Sequence, residues 1–323
     1  MKLHENKNLF QDAIAATATL KGLREIHIEK DYWVTLALYT IFTGEMSNQV
    51  VFKGGTALSK CFQMIERFSE DIDVVVLRHG GESNTQLDKT VKKIGQSIES
   101  VLPAIYIEGI TNLRGKIKKT AHSYQKIYDG DFGQIRKEII LEAMWLGNFE
   151  PYTTATIQSY ISEMMHYNKQ NQMIIDYGLQ PFEIKVLKVE RTLCEKIISL
   201  VRFSFTDNPI ENLRNKVRHV YDIHKLLENE TIHTFFNSPA FDEMLLKVAN
   251  DDVIALKTGI TWLSNHPATA ILFSDTVNTW NQIQETYNSE FRAFVYGKLP
   301  SNNDILETLQ KVSNRLKDIK WTI

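Results

Sequence analysis

A glycine pair, Gly54-Gly55, precedes a helix-forming run, and an Asp-x-Asp at Asp71 and Asp73 follows it. No other feature limits what this chain can build so sharply. The stretch Asp71 to Leu77 is rich in valine and reads as a strand. Side chains alternate faces along a strand, so Asp71 and Asp73 point the same way. Two carboxylates held side by side repel, and a divalent cation relieves that repulsion. Glycines that open a helix leave backbone N–H groups free to approach phosphate. A metal site and a phosphate cradle this close in sequence point to chemistry on a nucleoside triphosphate.

Metal-dependent chemistry on a triphosphate is better served by a third carboxylate from a neighbouring strand. Glu138 and Glu142 are the candidates, in the apolar run that ends at Trp145. Both fall on one face, so alternation does not choose between them. Glu142 lies deeper, between Leu141 and Ala143, and is the expected third ligand, with Glu138 as the second choice. Asp71, Asp73 and Glu142 would then hold Mg²⁺, which prefers oxygen donors and phosphate partners. A pair of ions about 3.5–4 Å apart is the usual arrangement for such chemistry. Lys53, Gly54, Gly55, Thr56 and Arg67 are the expected neighbours of the triphosphate. Taken alone, each also fits a bland role: Thr56 as a helix cap, Lys53 and Arg67 as surface charges.

The chain has 323 residues, which favours two domains. Its formal net charge is -2, so binding to nucleic acid would have to use a local basic patch. Cys61 and Cys194 are the two cysteines. Both sit in apolar helical patterns and read as buried free thiols. The N-terminal residues lack the apolar centre of a signal peptide. The longest apolar run, Tyr32 to Phe42, is too short for a membrane span. A cytoplasmic protein with no membrane partner is expected.

Periodicity predicts helices over 8–20, 29–43, 56–66 and 85–102, with strands over 50–53, 71–77, 104–110, 119–128, 134–145 and 182–187. The second helix opens on Glu29, Lys30 and Asp31, which read as a charged rim. Asp129 to Gly133 reads as a hairpin turn. From Glu190 onward the pattern is helical, with stripes at Leu193, Ile197, Leu200 and Val201 and at Leu213, Val217, Val220 and Leu227. Ser301 and Asp304 form a near capping box. The expected organisation is α+β: a mixed sheet with flanking helices over 1–189, then a helical bundle over 190–323.

The string KGGTALSKCF running into RFSEDID resembles the AbiEii/AbiGii toxin branch of the nucleotidyltransferase superfamily of the DNA polymerase β type. Two later segments extend the resemblance. Glu190 to Lys196 is similar to the family's Glu-x-x-x-x-x-Lys helix, and Arg218 to Asp222 to its Arg-Asp-x-x-Asp helix. His219 stands where the family carries the first of those aspartates. The resemblance implies a polymerase β-like N-terminal domain and a helical domain that contributes Lys196 and Asp222. It implies that Lys196 contacts the triphosphate and that Asp222 belongs to the catalytic site. Asp222 would orient Lys196 or position the acceptor hydroxyl. On spacing alone, Arg218 and Asp222 make an ordinary i,i+4 ion pair.

The same resemblance implies an NTP-dependent transferase that releases pyrophosphate. It would act as the toxin of a toxin–antitoxin or abortive-infection system, silenced by an antitoxin encoded nearby. Some members add nucleotides to the 3′ end of tRNA, so tRNA is the expected acceptor. Arg114, Lys116, Lys118, Lys119, Lys126, Arg136 and Lys137, interleaved with Tyr124 and Tyr128, would form an RNA surface. Other readings are transfer to a protein or small molecule, and a silent binding module on the same fold.

Overall fold

The computed structural model describes residues 1–128, 136–146, 149–255 and 261–323. The chain divides into two compact units. The first comprises Met1–Phe62, Phe68–Trp145 and Tyr152–Val186; the second comprises Gln63–Arg67, Leu146–Pro151 and Leu187–Ile323. The main division therefore falls at residue 187, and two short segments of the N-terminal sequence group with the helical unit.

The first unit is α+β. Its strands are β1 (Val50–Lys53), β2 (Ile72–Val76), β3 (Ala104–Ile105), β4 (Ile117–His122), β5 (Ile139–Met144), β6 (Tyr152–Ile157) and β7 (Phe182–Leu187). They form one mixed sheet in the order β3-β4-β5-β2-β1-β7-β6. β2 runs antiparallel to β1 and parallel to β5, and β4 runs antiparallel to β5. The three central strands carry near-continuous apolar runs. Val50, Val51, Phe52, Val74, Val75, Ile139, Ile140 and Leu141 are all buried, as expected where both faces of a sheet are covered.

The helices of this unit are α1 (Lys7–Lys21), α2 (Glu25–Thr43), α3 (Gly54–Lys60), α4 (Asn84–Ser97), α5 (Tyr160–Tyr167) and α6 (Asn171–Asp176). α4 opens on a capping box formed by Ser83 and Gln86 and buries Leu87, Val91 and Ile94. Every residue of α2 from Ile26 to Leu38 is buried. A helix enclosed on all sides has no rim, so the expected exposure of Glu29, Lys30 and Asp31 is corrected: all three lie inside. α3 is also shorter than the periodicity predicts. It ends at Lys60, and Gln63 takes a positive φ of 53°. A non-glycine residue there breaks the helix, and Gln63–Arg67 joins the other unit. The expected hairpin turn at Asp129 to Gly133 lies outside the described residues. β6, α5 and α6 were not visible as periodicity.

The second unit contains α7 (Val189–Ser204), α8 (Pro209–Arg214), α9 (Val217–Leu227), α10 (Glu230–Phe236), α11 (Pro239–Ala255), α12 (Ile271–Ser274), α13 (Thr276–Asn288) and α14 (Asn302–Lys317). Leu193, Ile197, Leu200 and Val201 are buried along α7. The second expected stripe spans two helices, because α8 carries Leu213 and α9 carries Val217 and Val220. Trp280, Tyr287 and Phe291 pack ring against ring, with Tyr221 on Phe291. Ser301 and Asp304 complete a capping box on α14. Cys61 is half-buried, Cys194 is buried and both are free thiols. Among the described residues, no helix is long and apolar enough to cross a membrane.

Candidate active site

β2 is the organising strand of the first unit's site. In register, Asp73 faces Lys53 of β1 on one side and Glu142 of β5 on the other. Paired residues of adjacent strands point to one face, so Asp73 and Glu142 share it. Asp71 lies just before β2, two residues upstream and on the same face. Glu138 lies before β5 begins, whereas Glu142 is inside the strand and opposite Asp73.

The three carboxylates act on one another. Burial, then the Glu142 and Asp71 carboxylates, push the Asp73 carboxyl up to about 7. Surplus negative charge of this kind favours a proton or a cation. In the structure, two cations meet it. The Lys119 ammonium is 2.8 Å from Glu142, and the Arg136 guanidinium is 3.4 Å from Asp71. Burial draws the Lys119 ammonium down, but its bond to Glu142 outweighs that and raises it. Among the described residues, no three His, Cys, Asp or Glu side chains converge closely enough to grip an ion as they stand. The donor set nevertheless fits Mg²⁺: three oxygen ligands on one face, with excess charge to neutralise.

The glycine turn abuts this cluster. Gly54 adopts φ +81°, a conformation open to glycine, and a Cβ placed there would sit 2.2 Å from Asp73 Oδ2. Glycine is therefore required twice, by backbone conformation and by space. Gly54→Ala is expected to displace Asp73 and lower nucleotidyl transfer by roughly a hundredfold, the penalty typical of an ångström-scale misplacement. Radiolabelled NTP turnover checks the effect, and a melting curve separates it from unfolding.

Thr56, expected at the phosphate, is buried. Its hydroxyl lies 2.6 Å from the Asp71 carbonyl and 3.0 Å from Ser69 Oγ. It ties α3 to the residues that lead into β2. Lys53 is half-buried at the α3 N-cap, and its charge lowers the Asp73 carboxyl.

A further cluster lies within the second unit. Arg67 is bidentate on Asp222, with Nε 2.7 Å from Oδ1 and a terminal nitrogen 2.8 Å from Oδ2. Lys196 Nζ, from α7, is 2.6 Å from Asp222 Oδ2. All three are buried. Burial pushes the Asp222 carboxyl up, but the Arg67 guanidinium and the Lys196 ammonium outweigh it and hold it well below the usual carboxylate range. The segment carrying Arg67 is fastened by its backbone: Glu66 O accepts from Tyr296 N and Gly297 N, and Glu66 N donates to Tyr221 Oη. Arg67, expected beside phosphate, thus meets Asp222. The Arg218 guanidinium lies 4.3 Å from the Phe294 ring centre. Arg214, four residues before Arg218, belongs to α8, whereas Arg218 and Asp222 lie on α9. Burial and the nearby Lys196 and Lys216 charges hold the His219 imidazole well below its ordinary value, in the neutral form.

The sequence profile described as "Nucleotidyl transferase AbiEii toxin, Type IV TA system" matches residues 36–311. The chain belongs to the AbiEii toxin nucleotidyltransferase family. No curated protein sequence gives a significant match. The fold is similar to that of MenT4, the nucleotidyltransferase toxin Rv2826c of Mycobacterium tuberculosis H37Rv. That structure is 16% identical with a TM-score of 0.56, and the match covers 95% of this chain and 90% of that one. As an AbiEii protein, this chain is a nucleotidyltransferase toxin of a type IV toxin–antitoxin system, which implies an NTP substrate and an antitoxin partner.

Sequence reasoning assigned Lys119 and Arg136 only to an RNA surface. Lys119 meets Glu142 because antiparallel β4 sets it opposite that residue in β5, a register the chain does not spell out; Arg136 meets Asp71 from the segment before β5.

Proposed function

We propose that this AbiEii protein moves a nucleoside monophosphate from an NTP to the 3′ hydroxyl of tRNA, with Mg²⁺ as cofactor, and so arrests translation in an abortive-infection response. The observation that carries the reading is the register of Asp73 against Glu142, with Gly54 pressed on Asp73. Asp71, Asp73 and Glu142 would hold Mg²⁺, which supplies a lower pKa for the attacking hydroxyl and charge for the departing pyrophosphate. Backbone N–H groups at Gly54 and Gly55 would hold phosphate, with Lys53 adding positive charge. The acceptor oxygen bonds to the α-phosphorus, the bond to the β-phosphate oxygen breaks, and pyrophosphate leaves with that electron pair. The hydroxyl proton passes to the carboxylate cluster. We assign Lys196 to the triphosphate, where its ammonium would offset charge on the leaving group, and Asp222 to its orientation. An antitoxin encoded nearby would silence the activity.

The tRNA acceptor rests on the family resemblance. The expected stacking platform is weaker than the sequence suggests. Tyr124 is buried and stacks on Trp33. Lys118 is paired with Asp88, Lys119 with Glu142 and Arg136 with Asp71. This compensation of the basic strip favours a second reading, in which the nucleotide goes to a protein or a small molecule. Incubating each labelled NTP with purified tRNA, and separately with RNA-depleted lysate, decides between them. We expect label in tRNA with at least one NTP and none when Asp73→Ala replaces the wild type. Label in the lysate alone would overturn the tRNA acceptor.

A further inference from the structure

We propose that three consecutive residues of α2, Glu29, Lys30 and Asp31, together with Glu70, form the hub that positions the catalytic elements; this rests on the active-site reading above. The four charged side chains are almost wholly withdrawn from solvent: Glu29 1%, Lys30 0%, Asp31 6% and Glu70 6% exposed. Successive residues on a helix diverge by about 100°, so the three point in three directions. Each reaches a different part of the first unit.

Glu29 accepts backbone bonds from Ile127 N at 2.7 Å and Tyr128 N at 3.1 Å, in the chain that follows β4. Lys30 Nζ lies 2.5 Å from Glu70 and also donates to the Arg136 carbonyl. Glu70 in turn accepts from Arg136 N at 3.0 Å. Arg136 is thereby gripped through its backbone, while its side chain meets Asp71. Glu70 immediately precedes Asp71, and Arg136 lies three residues before β5 and its Glu142. One buried ion pair thus ties together the segments that lead into both metal-binding strands. Asp31 pairs with Lys60 at 2.5 Å and accepts from Tyr160 N at 2.8 Å. Lys60 ends α3, and Gly54 begins it against Asp73.

Stability does not explain such a hub. Buried ion pairs rarely stabilise more than well-packed apolar residues of equal volume. Burial draws the Lys30 ammonium down and pushes the Glu29 and Glu70 carboxyls up, so the charged forms are costly here. What an apolar cluster could not supply is the directed grip on the Arg136 backbone and on Lys60.

The test replaces the pair with apolar side chains, Lys30→Met with Glu70→Leu, in the full-length protein. A positioning role predicts an unchanged or higher melting temperature. It also predicts roughly tenfold or greater loss in both Mn²⁺ affinity, read by electron paramagnetic resonance, and kcat, at nearly constant KM for NTP. Asp31→Asn, which keeps the shape but removes the negative charge that faces Lys60, is expected to lower kcat in the same way. A folded double variant with wild-type Mn²⁺ affinity and kcat would overturn the hub. A wild type that binds no Mn²⁺ would overturn the active-site reading itself, and the hub with it.

Discussion

Asp73→Asn is expected to abolish nucleotidyl transfer and, in the absence of divalent metal, to make the protein more stable above pH 7. The loss of transfer follows from its place between Lys53 and Glu142 in the sheet. On the order of a thousandfold or more is expected if Asp73 is a metal ligand as proposed. The gain in stability follows from the carboxyl being raised to about 7 by burial and by the neighbouring Glu142 and Asp71 charges. The native protein holds this proton more tightly than the unfolded chain, where a carboxyl titrates near ~4. The contribution is therefore fully present below about pH 4 and is lost as pH rises through about 7. At pH 8 both states are ionised, and the native state bears a repulsion on the order of a few kcal/mol. Asparagine removes the charge and with it the repulsion. If these carboxylates hold Mg²⁺ as proposed, the ion binds the folded wild type alone, and it should stabilise the wild type at pH 8 and leave the variant unchanged. Denaturant melts at pH 5 and pH 8, with and without Mg²⁺, read all of this. A variant that melts with the wild type under every condition would mean that Asp73 is not strained by its neighbours.

The second large effect concerns the helical unit. Asp222→Ala is expected to destabilise the fold by about 3–5 kcal/mol, because it strands the Arg67 and Lys196 charges without their buried partner. Urea denaturation measures the loss. The pH dependence has the opposite sign to that of Asp73. Asp222 is held below the usual carboxylate range, so its contribution is present above ~4 and is lost as pH falls toward its depressed value. A triple replacement separates structure from chemistry. Arg67→Met, Lys196→Met and Asp222→Leu together remove all three charges and should recover much of the stability, yet transfer should stay absent if Lys196 serves the triphosphate. Recovered activity in that variant would remove Lys196 and Asp222 from the mechanism. Wild-type stability in Asp222→Ala would contradict the buried pairing.

The closeness of Gly54, Asp71 and Asp73 was legible because it is local. A glycine pair, a helix-forming run and two alternating carboxylates declare themselves within twenty residues. β1 and β7 were also legible, because short runs such as Val50–Lys53 and Phe182–Leu187 have clear ends. The choice of Glu142 over Glu138 was not settled by alternation and depended on pairing with β2. The partners of Arg67 were equally hidden, since Asp222 is 155 residues away in the chain. Burial of Glu29, Lys30 and Asp31 ran against their charge, and only a helix enclosed on every side reveals it. β6 escaped because Tyr152–Ile157 alternates exposed and half-buried positions built largely from threonine and tyrosine, with little apolar contrast.

Diffraction at the manganese edge from crystals grown with Mn²⁺ and a non-hydrolysable NTP analogue locates the metal and the triphosphate together. Anomalous density is expected between Asp71, Asp73 and Glu142, with Lys119 and Arg136 drawn off the carboxylates and phosphate oxygens against the Gly54-Gly55 turn. Manganese bound elsewhere, or a nucleotide seated away from that turn with Lys119 still on Glu142, would contradict it.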